Sequence, residues 1–214
     1  MIDLLIDTSS THLLVSIVKD DKVLAYTKIE NIEGLSTKLL CEIDHCVQKS
    51  QISLSQIDTI FIVNGPGSFT GLRVGVTVAK MMAYTAHIKI IPISSLELMA
   101  TTPFEGDYIV SYIDARRGYV YAGIYDKDLH CIQADGYITV ENLFTSLDTS
   151  KKIVFVGNTD VEKLTPSIKP KENVCKMVRK HRNDVPMNPH AVNPNYLKLT
   201  EAEEKRNHDS ISNP

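Results

Sequence analysis

No two cysteines in this sequence share a C-x-x-C spacing. Cys41 and Cys46 stand five apart on a predicted helix, and Cys131 and Cys175 are far from either, a pattern that suits reduced thiols better than bridges or zinc. Nor does any stretch approach the roughly 18 apolar residues of a membrane span. The start, Met1-Ile2-Asp3-Leu4-Leu5-Ile6-Asp7, lacks a basic region and meets a carboxylate within each short apolar run, unlike a signal peptide or anchor. Charge of one sign is not in excess either. With 23 Lys and Arg against 26 Asp and Glu, the net charge is −3, so no global positive field attracts phosphate backbones. A cytoplasmic chain with no membrane contact is expected, and any nucleic-acid contact is local or borrowed. The seven histidines contain no H-x-x-x-H or H-E-x-x-H pair, which argues against a metal site, and no G-x-S-x-G elbow marks a hydrolase.

What is present is ordinary globular material. Of 214 residues, 43% are hydrophobic and 23% charged, enough for one large domain or two small ones. The strand runs Asp3–Ile6, Leu13–Val18 and Val23–Ile29, joined by polar turns, predict a three-stranded meander. Ser36 is placed to cap a helix reaching about Gln48, with Leu39, Leu40, Ile43, Cys46 and Val47 on one face. A buried strand at Ile57–Val63, a glycine-rich loop, a helix over Leu72–His87 and a strand at Ile88–Ile93 complete a β-β-β-α-β-α-β unit.

The pattern then begins again at an offset of 107, half of 214. Leu5-Ile6-Asp7-Thr8-Ser9-Ser10-Thr11 falls on Tyr112-Ile113-Asp114-Ala115-Arg116-Arg117-Gly118, and Leu13, Ile17 and Asp21 fall on Val120, Ile124 and Asp128. Two tandem α/β units follow, residues 1–102 and 103–214, with breaker residues at Thr101–Asp107 between them. The second is expected to be reduced. Beyond Gly157 there is no glycine, the 165–194 stretch is rich in proline, and the basic run Lys176, Arg179, Lys180, His181 and Arg182 reads as a solvated surface without an obvious helix. A short amphipathic helix over 195–206 is predicted to pack back on the first unit.

Three features carry the functional reading. Asp7 and Asp114 each end a strand before a turn, a geometry related to phosphate holding, and Asp7, Thr8, Gly65, Gly67 and Ser68 form a vestigial phosphate site on that reading. The joint Asn64-Gly65-Pro66-Gly67-Ser68-Phe69-Thr70-Gly71 leads into a helix N-terminus but lacks a P-loop lysine and only approximates G-x-G-x-x-G. Gly71, Gly75, Ala79 and Ala83 recur every fourth residue, a ridge that lets another helix approach closely. Val74, Val78, Met81 and Thr85 are then left to meet the unit's own sheet.

These segments, together with Ser94-Ser95-Leu96, Ile113-Asp114-Ala115-Arg116-Arg117 and Pro194-Asn195-Tyr196-Leu197-Lys198, resemble the TsaB (YeaZ) family of tRNA threonylcarbamoyladenosine accessory proteins. The resemblance implies an actin/Hsp70-like (ribonuclease H-like) fold without the iron ligands or catalytic site of TsaD. It implies a non-catalytic scaffold that pairs with TsaD, and through it with TsaE, to support threonylcarbamoyl transfer to adenosine of tRNA, which this chain meets only indirectly. No intrinsic cofactor is implied, though ATP or ADP could bind in the complex, and a homodimer is implied when TsaD is absent. The implied interface is Leu39, Ile43, Cys46, Gly71, Arg73, Gly75, Ala79, Met82 and Ala83. Leu35-Ser36 stands where the family commonly has His-Ser. The alternative from the enzyme class is an ATPase or phosphotransferase of the same fold using Asp7, Thr8 and the 65–68 loop.

Overall fold

In the computed structural model, residues 1–30 and 33–198 are described. The first half folds as β1 (Ile2–Asp7), β2 (Leu13–Lys19), β3 (Lys22–Ile29), α1 (Leu35–Lys49), β4 (Thr59–Gly65), α2 (Phe69–Thr85), β5 (Lys89–Ser94) and α3 (Ser95–Ala100). The second half follows as β6 (Tyr108–Asp114), β7 (Tyr119–Asp126), β8 (Cys131–Thr139), α4 (Val140–Ser146), β9 (Ile153–Gly157), β10 (Ser167–Ile168) and α5 (Val174–His181). The strand orders are β3-β2-β1-β4-β5 and β10-β9-β6-β7-β8. In both sheets an antiparallel three-strand meander is extended by parallel strands on the side of its first strand. The fold is thus a duplicated actin-like α/β unit. In the second copy the helix between β9 and β10 shrinks to a single 3-10 turn at Glu162–Leu164.

Every residue of β1 is buried because both faces of its sheet are covered. Alternation sends Leu4 and Ile6, with Val15, Ile17, Ile60 and Ile62, toward α1 and α2. Leu5, with Leu14, Phe61, Val63, Ile91 and Ile93, faces the other way, onto Leu98 of α3 and onto Val174, Met177 and Val178 of α5. In α3, Leu96, Met99 and Ala100 instead join Ile109, Tyr125 and Val156 of the second sheet, so this six-residue helix is shared between the two sheets. The second sheet's far face, including Val110, Tyr112, Val120 and Ala122, packs on Val140 and Leu143 of α4.

Several local expectations are corrected. Helix α1 starts one residue earlier than Ser36, and Gly34, with φ 67°, is its N-cap. The left-handed backbone there favours glycine, so the hydroxyl has no capping role. The basic stretch after residue 173 is a helix, capped by the Asn173 side chain, which accepts from Lys176 N. Its apolar residues, Val174, Met177 and Val178, recur at three-and-four spacing and are buried, whereas the basic side chains between them mask that stripe in composition. Residues 195–198 are not helical and the rest of 195–206 lies outside the described residues. What packs back on the first unit is the stretch 187–195: Met187 N donates to Ile90 O at 2.9 Å and Asn195 N to Asn64 O at 2.6 Å. Among the described residues no helix is long and apolar enough to cross a membrane.

Candidate functional site

Asp7 ends β1 at the junction of the two halves, and its carboxylate is occupied by this chain. Oδ1 accepts from Ser9 N at 2.7 Å, and Oδ2 lies 3.2 Å from His12 Nε2, whose Nδ1 lies 2.6 Å from Ser10 Oγ. Burial pushes the Asp7 carboxyl upward, but hydrogen bonds from His12 and Ser9 and the His12 charge hold it below the usual range. For His12 the burial effect is downward and Asp7 outweighs it, raising the imidazole. The cavity bounded by Asp7, Ser9, His12, Ser95, Asn158 and Glu172 holds about 10 Å³, room for one water at most. Glu172 closes the nearby wall by accepting twice from Lys28 Nζ at 3.0 Å.

The glycine-rich joint is likewise turned inward. Ser68 N donates to Ser9 O at 2.6 Å, and Ser68 Oγ caps α2 by accepting from Gly71 N at 3.2 Å. A Cβ on Gly67 would strike the Ser9 carbonyl, and one on Gly65, whose φ is 131°, would strike the Asn195 carbonyl. Thr8 Oγ1 donates to Gly71 O at 2.8 Å. The five residues read as a vestigial phosphate site are therefore brought together, with the Thr8 hydroxyl donated to Gly71 O and the Ser68 amide to Ser9 O of the β1–β2 turn. They form a structural joint.

The small-residue ridge is also corrected. Gly71 and Gly75 lie on Thr8, whose carbonyl and hydroxyl would collide with any Cβ there, and Ala79 and Ala83 continue into the core with Leu39, Ile43 and Cys46. These seven residues let α2 settle on its own sheet and are closed to a second chain. The reason is geometric: a helix seated directly on strand backbone needs glycine and alanine on the seated face, so the larger side chains are turned outward. Of the expected interface, Arg73 is exposed and Met82 half-buried.

The outward face carries Val74, Thr77, Val78, Met81 and Tyr84, with Leu40 of α1 alongside. Met81 and Tyr84 of α2 are 62% and 58% exposed and Leu40 of α1 is 52%, large values for apolar side chains on two neighbouring helices. One hollow of about 300 Å³ lies between Thr77, Met81 and Tyr84 and the Pro189–His190 turn, and another of about 290 Å³ between Ser36, Arg73, Val74 and Val78. Tyr84 meets the His190 ring edge-on at 4.9 Å, which fixes one wall. Sequence reasoning missed Leu40, Tyr84 and His190 as members of this face. The signal was present in Val74, Val78 and Met81, large side chains at helical spacing opposite the glycines.

Comparison with known proteins agrees with this architecture. Residues 32–204 match the profile of the family described as TsaD, tRNA N6-adenosine threonylcarbamoyltransferase. The tRNA threonylcarbamoyladenosine biosynthesis protein TsaB of Bacillus subtilis is 30% identical over 94% of this chain and 96% of its own length. TsaB of Escherichia coli is 31% identical over 58% of this chain and 55% of its own. The solved structure of YeaZ from Pseudomonas aeruginosa superposes with a TM-score of 0.76 at 18% identity, covering 91% of this chain and all of that one. Thirty per cent identity sustained over nearly the full length of both sequences means that the chain belongs to the TsaB (YeaZ) family.

Proposed function

We propose that this chain is a non-catalytic scaffold that binds TsaD through the outer face of α1 and α2 and, with TsaE, supports threonylcarbamoyl transfer to adenosine of tRNA. Membership of the family gives it a part in tRNA threonylcarbamoyladenosine biosynthesis. The observation that supports the finer reading is the apolar face on which Leu40, Met81 and Tyr84 are exposed on two adjacent helices, with Val74 and Val78 half-buried beside them. That face costs free energy as long as it is wet, and burying it against a second helix pair recovers roughly 25 cal/mol per Å² of apolar area. A protein built on the TsaD profile has the same fold, so it offers an equivalent helix pair, and two such pairs cross as a four-helix contact. Without that partner, a second copy of this chain meets the same requirement and a homodimer forms. The work is done in the cytoplasm, where tRNA is modified, and tRNA itself is held chiefly by the partner.

The reading of an ATPase or phosphotransferase loses its support at the cleft. The space of about 10 Å³ beside Asp7 is far smaller than a nucleoside triphosphate, and the Ser68 amide of the 65–68 loop is taken by the Ser9 carbonyl. Affinity capture with TsaD tests the proposal. Leu40→Glu and Met81→Glu alter exposed positions, so the melting temperature is expected to stay within about 2 °C. TsaD capture is expected to fall at least tenfold, and the mass of the chain alone to drop to that of a monomer. Undiminished capture by both variants would refute the assigned face.

A further inference from the structure

The N-terminal end of α2 and the β7–β8 hairpin are joined at the surface by a row of alternating rings and cations. The Arg73 guanidinium lies 3.9 Å above the Phe69 ring, and Phe69 stacks on Tyr196 with centroids 5.0 Å apart. Arg73 Nε donates to the Tyr196 hydroxyl at 3.1 Å. Two residues further, at most about 7 Å along the chain, Lys198 Nζ lies 5.6 Å from the Tyr137 centroid. Tyr137 stacks on Tyr119 at 4.7 Å with the rings 9° apart, and Tyr121 tilts against it at 5.5 Å. The turn that leads into Tyr119 displays Arg116 and Arg117, both exposed. Among the described residues, no carboxylate lies within 4.0 Å of Arg73, Arg116, Arg117 or Lys198.

That combination is unusual on a chain with net charge −3. Phe69, Tyr119 and Tyr196 are exposed rings outside the core clusters, and among the described residues the four cations have no carboxylate partner. Flat rings accept the faces of unpaired bases, and unpaired cations accept the phosphates between them. A duplex, whose base faces are already stacked, can use only the cations. We infer that this row binds an unpaired strand of RNA, with bases against Phe69, Tyr196 and Tyr119 and phosphates toward Arg116, Arg117 and Lys198. The inference deepens the scaffold reading and rests on it for the source of the RNA, which is the tRNA brought to the complex: part of that tRNA then touches this chain directly.

The test is fluorescence anisotropy with a labelled RNA hairpin carrying an unpaired loop, against a fully paired duplex of equal length, for the chain alone and loaded with TsaD. The hairpin is expected to bind tighter than the duplex. Tyr119→Ala and Tyr196→Ala are each expected to weaken hairpin binding about 5- to 100-fold, with the melting temperature and TsaD capture unchanged. Arg116→Ala with Arg117→Ala is expected to weaken hairpin and duplex alike and to flatten the salt dependence. If both tyrosine variants bind the hairpin as the parent does, in the chain and in the complex, the inference is overturned. Equal affinity for hairpin and duplex overturns it too, leaving charge alone. Failure of the parent chain to capture TsaD, with the chain alone still preferring the hairpin and losing that preference in the tyrosine variants, would instead defeat the docking face and spare this one.

Discussion

Thr8 decides how near α2 can come to the first sheet. Its carbonyl and hydroxyl fill the space that a side chain at Gly71 or Gly75 would need, and the hydroxyl is fixed by donating to Gly71 O at 2.8 Å. Gly75→Ala is therefore expected to destabilise the chain by about 1–3 kcal/mol through overpacking, although alanine is otherwise the better helix former. Thr8→Ala in the same chain should return part of that loss, measured by urea unfolding. A second residue-scale expectation concerns Asp3. It is fully buried on β1, neither carboxylate oxygen accepts a hydrogen bond from the described residues, and Arg182 Nη2 stands 3.5 Å away. Burial drives the Asp3 carboxyl upward and Arg182 opposes it. Arg182→Met is expected to cost about 3 kcal/mol by abandoning the carboxylate, and adding Asp3→Leu to recover most of it. If the double variant unfolds as early as the single one, the pairing is not what matters there.

At the scale of elements, α5 is held by charge as well as by its apolar stripe. Glu97 of α3 meets His181 Nε2 at 2.9 Å and Lys180 Nζ at 2.7 Å, while Asp184 meets His181 Nδ1 at 2.7 Å. Burial alone would lower the His181 imidazole, but Glu97 and Asp184 raise it above 6.5. Its contribution is therefore complete below pH 6.5 and is lost as pH rises through the raised folded value. Burial works upward on Glu97, and His181 and Lys180 bring it below 4.5, so its share is lost on acidification through that lowered value. Melting temperatures are expected to decline as the pH rises above about 6.5, and His181→Gln to reduce that slope, leaving the share of His12. The strands of the first unit and the two long helices were legible in the sequence because apolar, β-branched runs bounded by turn residues mark buried strands and three-and-four spacing marks a helix face, whereas β8 and β10 were not read. The face of α2 was not: a Gly-Gly-Ala-Ala ridge fits a partner helix or a strand backbone equally well, and Thr8, which selects the strand, is remote in sequence. Helix α5 was hidden because Lys176, Arg179 and Lys180 dominate its composition while three apolar residues set its position. The Asp7–His12 contact was unreadable as a pair, since the two lie five apart across a tight turn.

For the whole molecule, the offset of 107 was the most informative signal, because a repeat predicts strand order as well as strand positions. What it could not give was how the halves share material. Millimolar ATP is expected to leave the melting temperature unchanged, since the junction beside Asp7 has no space to admit it; a rise of several degrees would mean that the halves part to form a nucleotide cleft. Helix α5 follows the last strand of the second sheet yet covers Leu5, Leu14, Phe61 and Val63 of the first. The repeats are thus interlaced: the N-terminal copy borrows its lid from the second half of the chain. Severed after residue 102, that copy would emerge with one broad oily surface uncovered and clump, until a peptide spanning 172–198 was supplied to sheathe it.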